Sequence, residues 1–151
     1  MPESDDQKWM RQAIVLARRA QELGEVPVGA VAVLDGAVIG SAFNQPISLH
    51  DPTAHAEILA LRAAAAALSN YRTERATLYC TLEPCVMCAG ALVHARVSRL
   101  VFGCRDLRFG AVRSKFRLAD NELLNHRLEI REGVLAAECA SLLEDFFRAR
   151  R

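Results

Sequence analysis

The sequence lacks a dominant sign of charge, and this absence narrows its reading first. Nineteen Lys and Arg face eighteen Asp and Glu, for a net charge of +1. A globally basic nucleic-acid binder is thereby excluded, and an anionic partner must be met by a local surface. No apolar run is long enough to span a bilayer as a helix. The first residues, Met1-Pro2-Glu3-Ser4-Asp5-Asp6, are acidic and lack the apolar core of a secretory leader. The five cysteines are odd in number and not spaced as a disulfide scaffold. Together these absences predict a cytoplasmic protein, a setting in which Cys-x-x-Cys more often means metal or redox chemistry. Repeats, low-complexity segments and linkers are missing too. What remains is an ordinary globular composition, 52% hydrophobic and 25% charged. Residues 1–151 are enough for a single domain with a sizeable core.

Hydrophobic spacing predicts the elements. Trp9, Ala13, Leu16, Ala20 and Leu23 recur at helical steps, with Ser4 and Gln7 as a capping box and Gly24 as a stop. Val28 to Leu34 and Ala37 to Ile39 are apolar runs joined by Asp35-Gly36, a strong hairpin signal. Phe43 to Asp51 reads as a loop. A helix is expected from Asp51-Pro52, with Ile58, Leu61, Ala65 and Leu68 on its apolar face. Thr77 to Thr81 reads as a strand, Glu83-Pro84 as a helix start, and Arg99 to Gly103 as a buried strand. Asp106 to Asn125 is irregular and rich in charge. Leu128 to Ile130 reads as a strand, and Leu135, Cys139, Leu142 and Phe146 as a last helical face. The expected architecture is a sheet flanked by helices.

Two short motifs carry the chemistry: His55-Ala56-Glu57 and Pro84-Cys85-Val86-Met87-Cys88. Cys85 and Cys88 lie one helical turn apart, so both thiols face one way. A helix N-terminus favours their thiolates, which a metal requires. His55 supplies a third zinc ligand. Three protein ligands leave a fourth tetrahedral position open, the mark of a catalytic zinc. Glu57 then acts on protons rather than on the metal, drawing one from water whose pKa zinc lowers to roughly 7. The reaction expected is attack on an amidine-like carbon, with Glu57 protonating the ring nitrogen and then the leaving amine. Residues two apart on an ideal helix point to nearly opposite sides, so His55 and Glu57 need a distorted first turn to share a site. Two other readings stay open: a redox pair, or a structural zinc closed by Cys80, Cys104 or His94. The acidic Glu57 disfavours the structural site, where it has no task. Cys80, Cys104 and Cys139 otherwise read as packing residues.

The two motifs in this order match the signature of zinc-dependent nucleobase deaminases. The wider sequence resembles the bacterial tRNA-specific adenosine deaminases of the cytidine-deaminase-like superfamily. The resemblance runs through Glu25 to Val31, Asp51 to Ile58, Leu82 to Ala91, Val101-Phe102-Gly103, Leu124-Asn125-His126-Arg127 and Asp145-Phe146-Phe147-Arg148. It implies a three-layer α/β/α fold with a five-stranded mixed sheet, one zinc per subunit and a homodimer. It implies conversion of adenosine to inosine at the wobble position of an arginine tRNA anticodon, so that one tRNA reads several codons. His55, Cys85 and Cys88 match the ligands and Glu57 the proton shuttle. Asn44 and Asn125 match positions that contact the flipped base and its sugar, and Asp106 one that touches the anticodon backbone. Phe109-Gly110-Ala111-Val112-Arg113-Ser114 is bulkier than the small segment many relatives carry there.

The residues give RNA some independent support. Arg105, Arg108, Arg113, Lys115 and Arg117 crowd one loop. Arg148, Arg150 and Arg151 follow Phe146-Phe147, and basic groups beside aromatics suit phosphate contact with base stacking. Phe146, Phe147 and Arg148 are therefore expected at the RNA. A solvated charged loop and terminus is the plain alternative. Rival functions are a deaminase of free guanine, cytidine or deoxycytidylate, and a non-catalytic RNA-binding module with a structural zinc.

Overall fold

The computed structural model describes residues 3–150. Helix α1 (Asp5–Glu22) begins as expected: Ser4 Oγ accepts from the Gln7 amide, and Gln7 Oε1 accepts from the Ser4 amide. Strands β1 (Gly29–Leu34) and β2 (Ala37–Phe43) form the hairpin around Asp35-Gly36, both at positive φ. Helix α2 (Ala56–Leu68), β3 (Thr77–Leu82), α3 (Val86–His94), β4 (Arg99–Cys104), β5 (Glu129–Glu132) and α4 (Ala136–Arg148) complete the chain. The sheet has five strands in the order β2-β1-β3-β4-β5. β1 runs antiparallel to β2 and β3, while β3, β4 and β5 are mutually parallel.

Side chains alternate across a strand, and the three central strands β1, β3 and β4 feed two cores. Ala30, Ala32, Leu78, Cys80, Leu100 and Phe102 point to one face, under α2 and α3. Val31, Val33, Tyr79 and Val101 point to the other, under Trp9, Met10, Ala13 and Ile14 of α1 and Cys139 of α4. The architecture is the expected three-layer α/β/α sandwich. Cys80 and Cys139 are buried packing residues, and Cys104 is half-buried with its thiol near the Thr81 carbonyl. Among the described residues, no helix is long and apolar enough to cross a membrane.

Two helices begin later than their prolines suggest. Asp51 Oδ1 accepts from the Thr53 amide and hydroxyl, a local turn that competes with helix, so α2 starts only after His55. The Pro84 carbonyl accepts from the Ala111 amide rather than from a helix amide, Cys85 is extended, and α3 starts after it. β2 and β3 both run antiparallel to β1, so the starts of α2 and α3, which follow them, come to one end of the sheet, and the site lies there.

Candidate active site

His55 is the residue before α2, in extended conformation at φ −72° and ψ 150°. Cys85 holds the same place before α3, at φ −77° and ψ −178°. Neither side chain caps its own helix, so both are available to a ligand. The extended backbone at His55 also removes the geometric conflict with Glu57. The ring departs before the helix begins, and Glu57 projects from the first turn toward the same hollow. Cys88 follows within the first turn of α3.

The three donor atoms lie within 4.8 Å of one another. Nδ1 of His55 is 3.6 Å from Cys85 Sγ and 3.5 Å from Cys88 Sγ. One ring nitrogen cannot direct a hydrogen bond at two sulfurs together, but a shared ion accounts for both contacts. Zinc bonds of about 2.3 Å to sulfur and about 2.05 Å to nitrogen, at a tetrahedral angle, separate the two atoms by about 3.6 Å. The donor set therefore fits zinc. Among the described residues, no further His, Cys, Asp or Glu joins the cluster. Cys80, Cys104 and His94 lie outside it.

Electrostatics separate the groups. Cys88 beside it, and then His55, hold the Cys85 thiol down at about 4 against the opposing effect of burial. Cys88 is pushed far up by the neighbouring Cys85 sulfur and by burial. Contact with Cys85 raises His55. Glu57 is 4% exposed, and burial pushes its carboxyl above the usual carboxylate range. A buried carboxyl raised in this way is suited to exchanging protons with water and substrate.

His55, Glu57 and Cys85 line a hollow of about 340 Å³. Val26, Val28 and Leu82 form its apolar wall, Asn44 and Asp106 offer polar groups, and Phe109 forms a lip. A second hollow of about 520 Å³ shares Val26, Leu82, Asp106 and Phe109 with it and continues past Leu107 and Arg108 to Leu143 and Phe147. Phe109 and Phe147 are 63% and 48% exposed, so their rings face solvent along this trough.

Sequence patterns did not single out the residue that shapes the loop after β4. Glu83 is 2% exposed. Its carboxylate accepts from the amides of Asp106, Val112, Arg113 and Ser114 at 2.7–3.1 Å, and from the Ser114 hydroxyl. Burial alone would raise its pKa, but these donors together hold it below the usual range. Gly110 passes so close that a Cβ would lie 2.3 Å from Glu83 Cδ. Glu25 does the same for the loop after β2, accepting from the Ile47 and Ser48 amides and the Ser48 hydroxyl. The available signal was an acid at the end of an otherwise apolar segment.

The other expected contacts divide. Asn44 and Asp106 meet His55 and Cys85 in one hollow. Asn125 lies elsewhere, against Val86, Gly90 and His94 of α3. Phe147 borders the trough, while Phe146 is 4% exposed with the Arg150 guanidinium over its ring at 3.8 Å. Arg148 is exposed and pairs loosely with Asp145 at 3.4 Å. Arg151 lies outside the described residues. The loop's basic cluster is smaller than its sequence suggests. Arg105 forks onto Glu132 and Arg113 onto Asp120, so both are already neutralised. Among the described residues, Arg108, Lys115 and Arg117 make no ion pair.

The sheet order, paired helix starts and His/Cys/Cys cluster beside a buried glutamate define a deaminase of the cytidine-deaminase-like fold. The chain matches the MafB19-like deaminase family over residues 4–151. It is 53% identical over 147 residues to the tRNA-specific adenosine deaminase of Haemophilus influenzae, covering 97% of this chain and 85% of that protein. With the enzyme of the same description from Bacillus subtilis it shares 45% identity over 148 residues, 98% of this chain and 92% of that one. A solved structure from a study of A-to-I editing by tRNA:A34 deaminases at the wobble position of transfer RNA superposes with a TM-score of 0.87. Its sequence identity is 45%, over 90% of this chain and 99% of that chain. The chain belongs to the tRNA-specific adenosine deaminases.

Proposed function

We propose that the protein deaminates adenosine to inosine at the wobble position of an arginine tRNA anticodon, with zinc held by His55, Cys85 and Cys88. The whole of residues 1–151 is read as one zinc-dependent deaminase domain, acting in the cytoplasm where its tRNA is found. The observation that carries the chemistry is Glu57, a carboxyl 4% exposed on the wall of the hollow that His55 and Cys85 also line. When bound, zinc supplies the Lewis acidity that brings the pKa of water to about 7.

This chain's own groups do the remaining work. Glu57 takes a proton from the attacking water and delivers it to the ring nitrogen beside the amine-bearing carbon. It then passes the proton of the newly added hydroxyl to the departing amine, so that adenosine and water become inosine and ammonia. Asn44, 9% exposed, offers both a donor and an acceptor to hold the nucleoside. The apolar walls exclude bulk water, and a target base must leave its stack to reach them. Asp106 lies where the hollow meets the trough and meets the anticodon backbone. Phe147, with Phe109, offers stacking faces to neighbouring unpaired bases, and Arg108 and Arg148 offer charge to their phosphates. Phe146 supports that helix face from within. Asn125 lies outside the catalytic hollow, and in the homodimer we propose it serves the RNA held by the other subunit.

The supporting similarity to tRNA deaminases does not itself choose the tRNA. Incubation with an arginine tRNA whose anticodon begins with A should yield inosine at that position, read by nucleoside analysis. Ready deamination of free guanine or cytidine with that tRNA unchanged would overturn the proposal.

A further inference from the structure

A second hollow, of about 310 Å³, lies at the opposite end of the sheet from the metal cluster. Arg72, Arg75, Arg96, Arg127 and His126 line it, with Glu74 as its one acidic residue. The fold assembles it. Residues 72–75, 96–98 and 126–127 are the loops that lead into β3, β4 and β5, and parallel pairing sets Thr77, Arg99 and Glu129 in register. Three separate stretches of chain thus deliver arginine to one place.

The site stands out against the rest of the molecule. Four guanidinium groups face one carboxylate in a chain whose net charge is only +1. Three other arginines are closely neutralised: Arg99 forks onto Asp6, Arg105 onto Glu132 and Arg113 onto Asp120. Here the pairs are long and exposed, Arg72 to Glu74 at 3.8 Å and Arg75 to Asp35 at 3.4 Å. Such pairs hold little energy and exchange readily for a better anion. Arg127 has no ion pair among the described residues. Arg96 is oriented by a 2.7 Å bond from Nη1 to the Val93 carbonyl, which leaves its other nitrogens to a ligand. Arg75 and Arg96 both sit at positive φ, 67° and 61°, where an L-residue is strained.

Guanidinium forks match phosphate oxygens in pairs, and several spread over one hollow suit a chain of phosphates. The hollow and the metal cluster sit at opposite ends of α3, whose nine residues span about 14 Å. We propose that this hollow is a phosphate-binding subsite for the RNA backbone of the tRNA substrate, separate from the deamination pocket. The inference rests on the tRNA reading above.

The test uses the zinc-loaded full chain and an Arg75→Gln/Arg127→Gln double variant, both side chains being exposed. An Arg72→Gln/Arg96→Gln variant serves as a second, independent arm, with melting temperature measured for each. The expected result for tRNA is a KM raised about tenfold with kcat retained, and a salt dependence of log KM shallower by about 1.5, since each lost phosphate contact removes roughly 0.7–0.9. An RNA of five nucleotides around the target adenosine should be deaminated equally by variant and parent. Unchanged KM and salt slope for tRNA in both variants would overturn the proposal. So would saturable binding of inorganic phosphate that the variants lose while their tRNA KM stays constant, because the hollow then serves a small anion. If the parent protein makes no inosine in tRNA, the functional reading fails on its own. Direct tRNA retention by parent and variants across salt concentrations then still decides the subsite.

Discussion

Glu57 and Glu83 are the same residue type, on the wall of the same hollow, 4% and 2% exposed. Their carboxyls are driven in opposite directions. Glu83 receives four backbone amides and a hydroxyl, which outweigh burial and keep it ionised. Glu57 has its own amide as its backbone donor, and burial prevails. Burial alone therefore does not assign a role. The number of donors aimed at the carboxylate decides whether it is a fixed anion that shapes a loop or a group that carries protons.

The sharpest way to break this comparison is Glu57→Gln. The side chain keeps its size and loses its proton chemistry. Inosine formation should fall by about 10²–10⁴-fold, the range expected for loss of general acid–base catalysis. Bound zinc and melting temperature should stay near those of the parent, because no loop depends on this carboxylate. Activity within tenfold of the parent would remove Glu57 from its proposed role.

Glu83→Gln should give the reverse pattern. The amide turns an NH₂ toward backbone amides that themselves donate, and the loop loses its anion. A cost of about 2–3 kcal/mol follows from losing hydrogen bonds to a charged group. That corresponds to a melting temperature lower by roughly 5–10 °C for a chain of this size. KM for tRNA should rise more than kcat falls, since Asp106 and Phe109 shift while Glu57 does not. A kcat loss as deep as that of Glu57→Gln would mean that the two carboxylates share one task. Gly110→Ala probes the same clamp from the other side. Its Cβ would lie 2.3 Å from Glu83 Cδ and 2.5 Å from the Asp106 carbonyl. The loop must give way, at about 1–2 kcal/mol and a several-fold rise in KM.

The same contrast explains what was legible in the sequence. Periodicity showed the sheet and its helices because the central strands feed two cores by simple alternation. The cluster was legible because thiols and imidazole are few and their chemistry is narrow. Helix starts were misplaced at Asp51-Pro52 and Glu83-Pro84, where the Asp51 side chain closes a turn and the distant Ala111 amide binds the Pro84 carbonyl. Arg105 and Arg113 looked free for RNA because their partners, Glu132 and Asp120, come into place only through folding. Glu83 was invisible as a clamp for the same reason: its donors lie more than twenty residues away, in a segment without pattern.

Asp6 extends the comparison beyond the site and carries the smallest effect on activity. It too is a buried carboxylate held ionised, but by guanidinium groups rather than amides. Arg99 forks onto it, and Arg131 and the Tyr79 hydroxyl also donate to it. The hydrogen bonds from Arg99 are the main cause of its pKa lying well below the usual carboxylate range. A carboxyl lowered on folding contributes stability that is fully present above its unfolded value of about 3.9 and is lost as pH falls below it. Asp6→Asn should leave deamination at neutral pH unchanged and cost about 1–2 kcal/mol there, between an exposed and a fully buried pair. The gap in melting temperature between variant and parent should be constant above about pH 5 and close as pH drops toward 2. A gap independent of pH would show that the network holds by shape and neutral hydrogen bonds, and that guanidinium groups and amides are not equivalent ways of keeping a buried carboxylate charged.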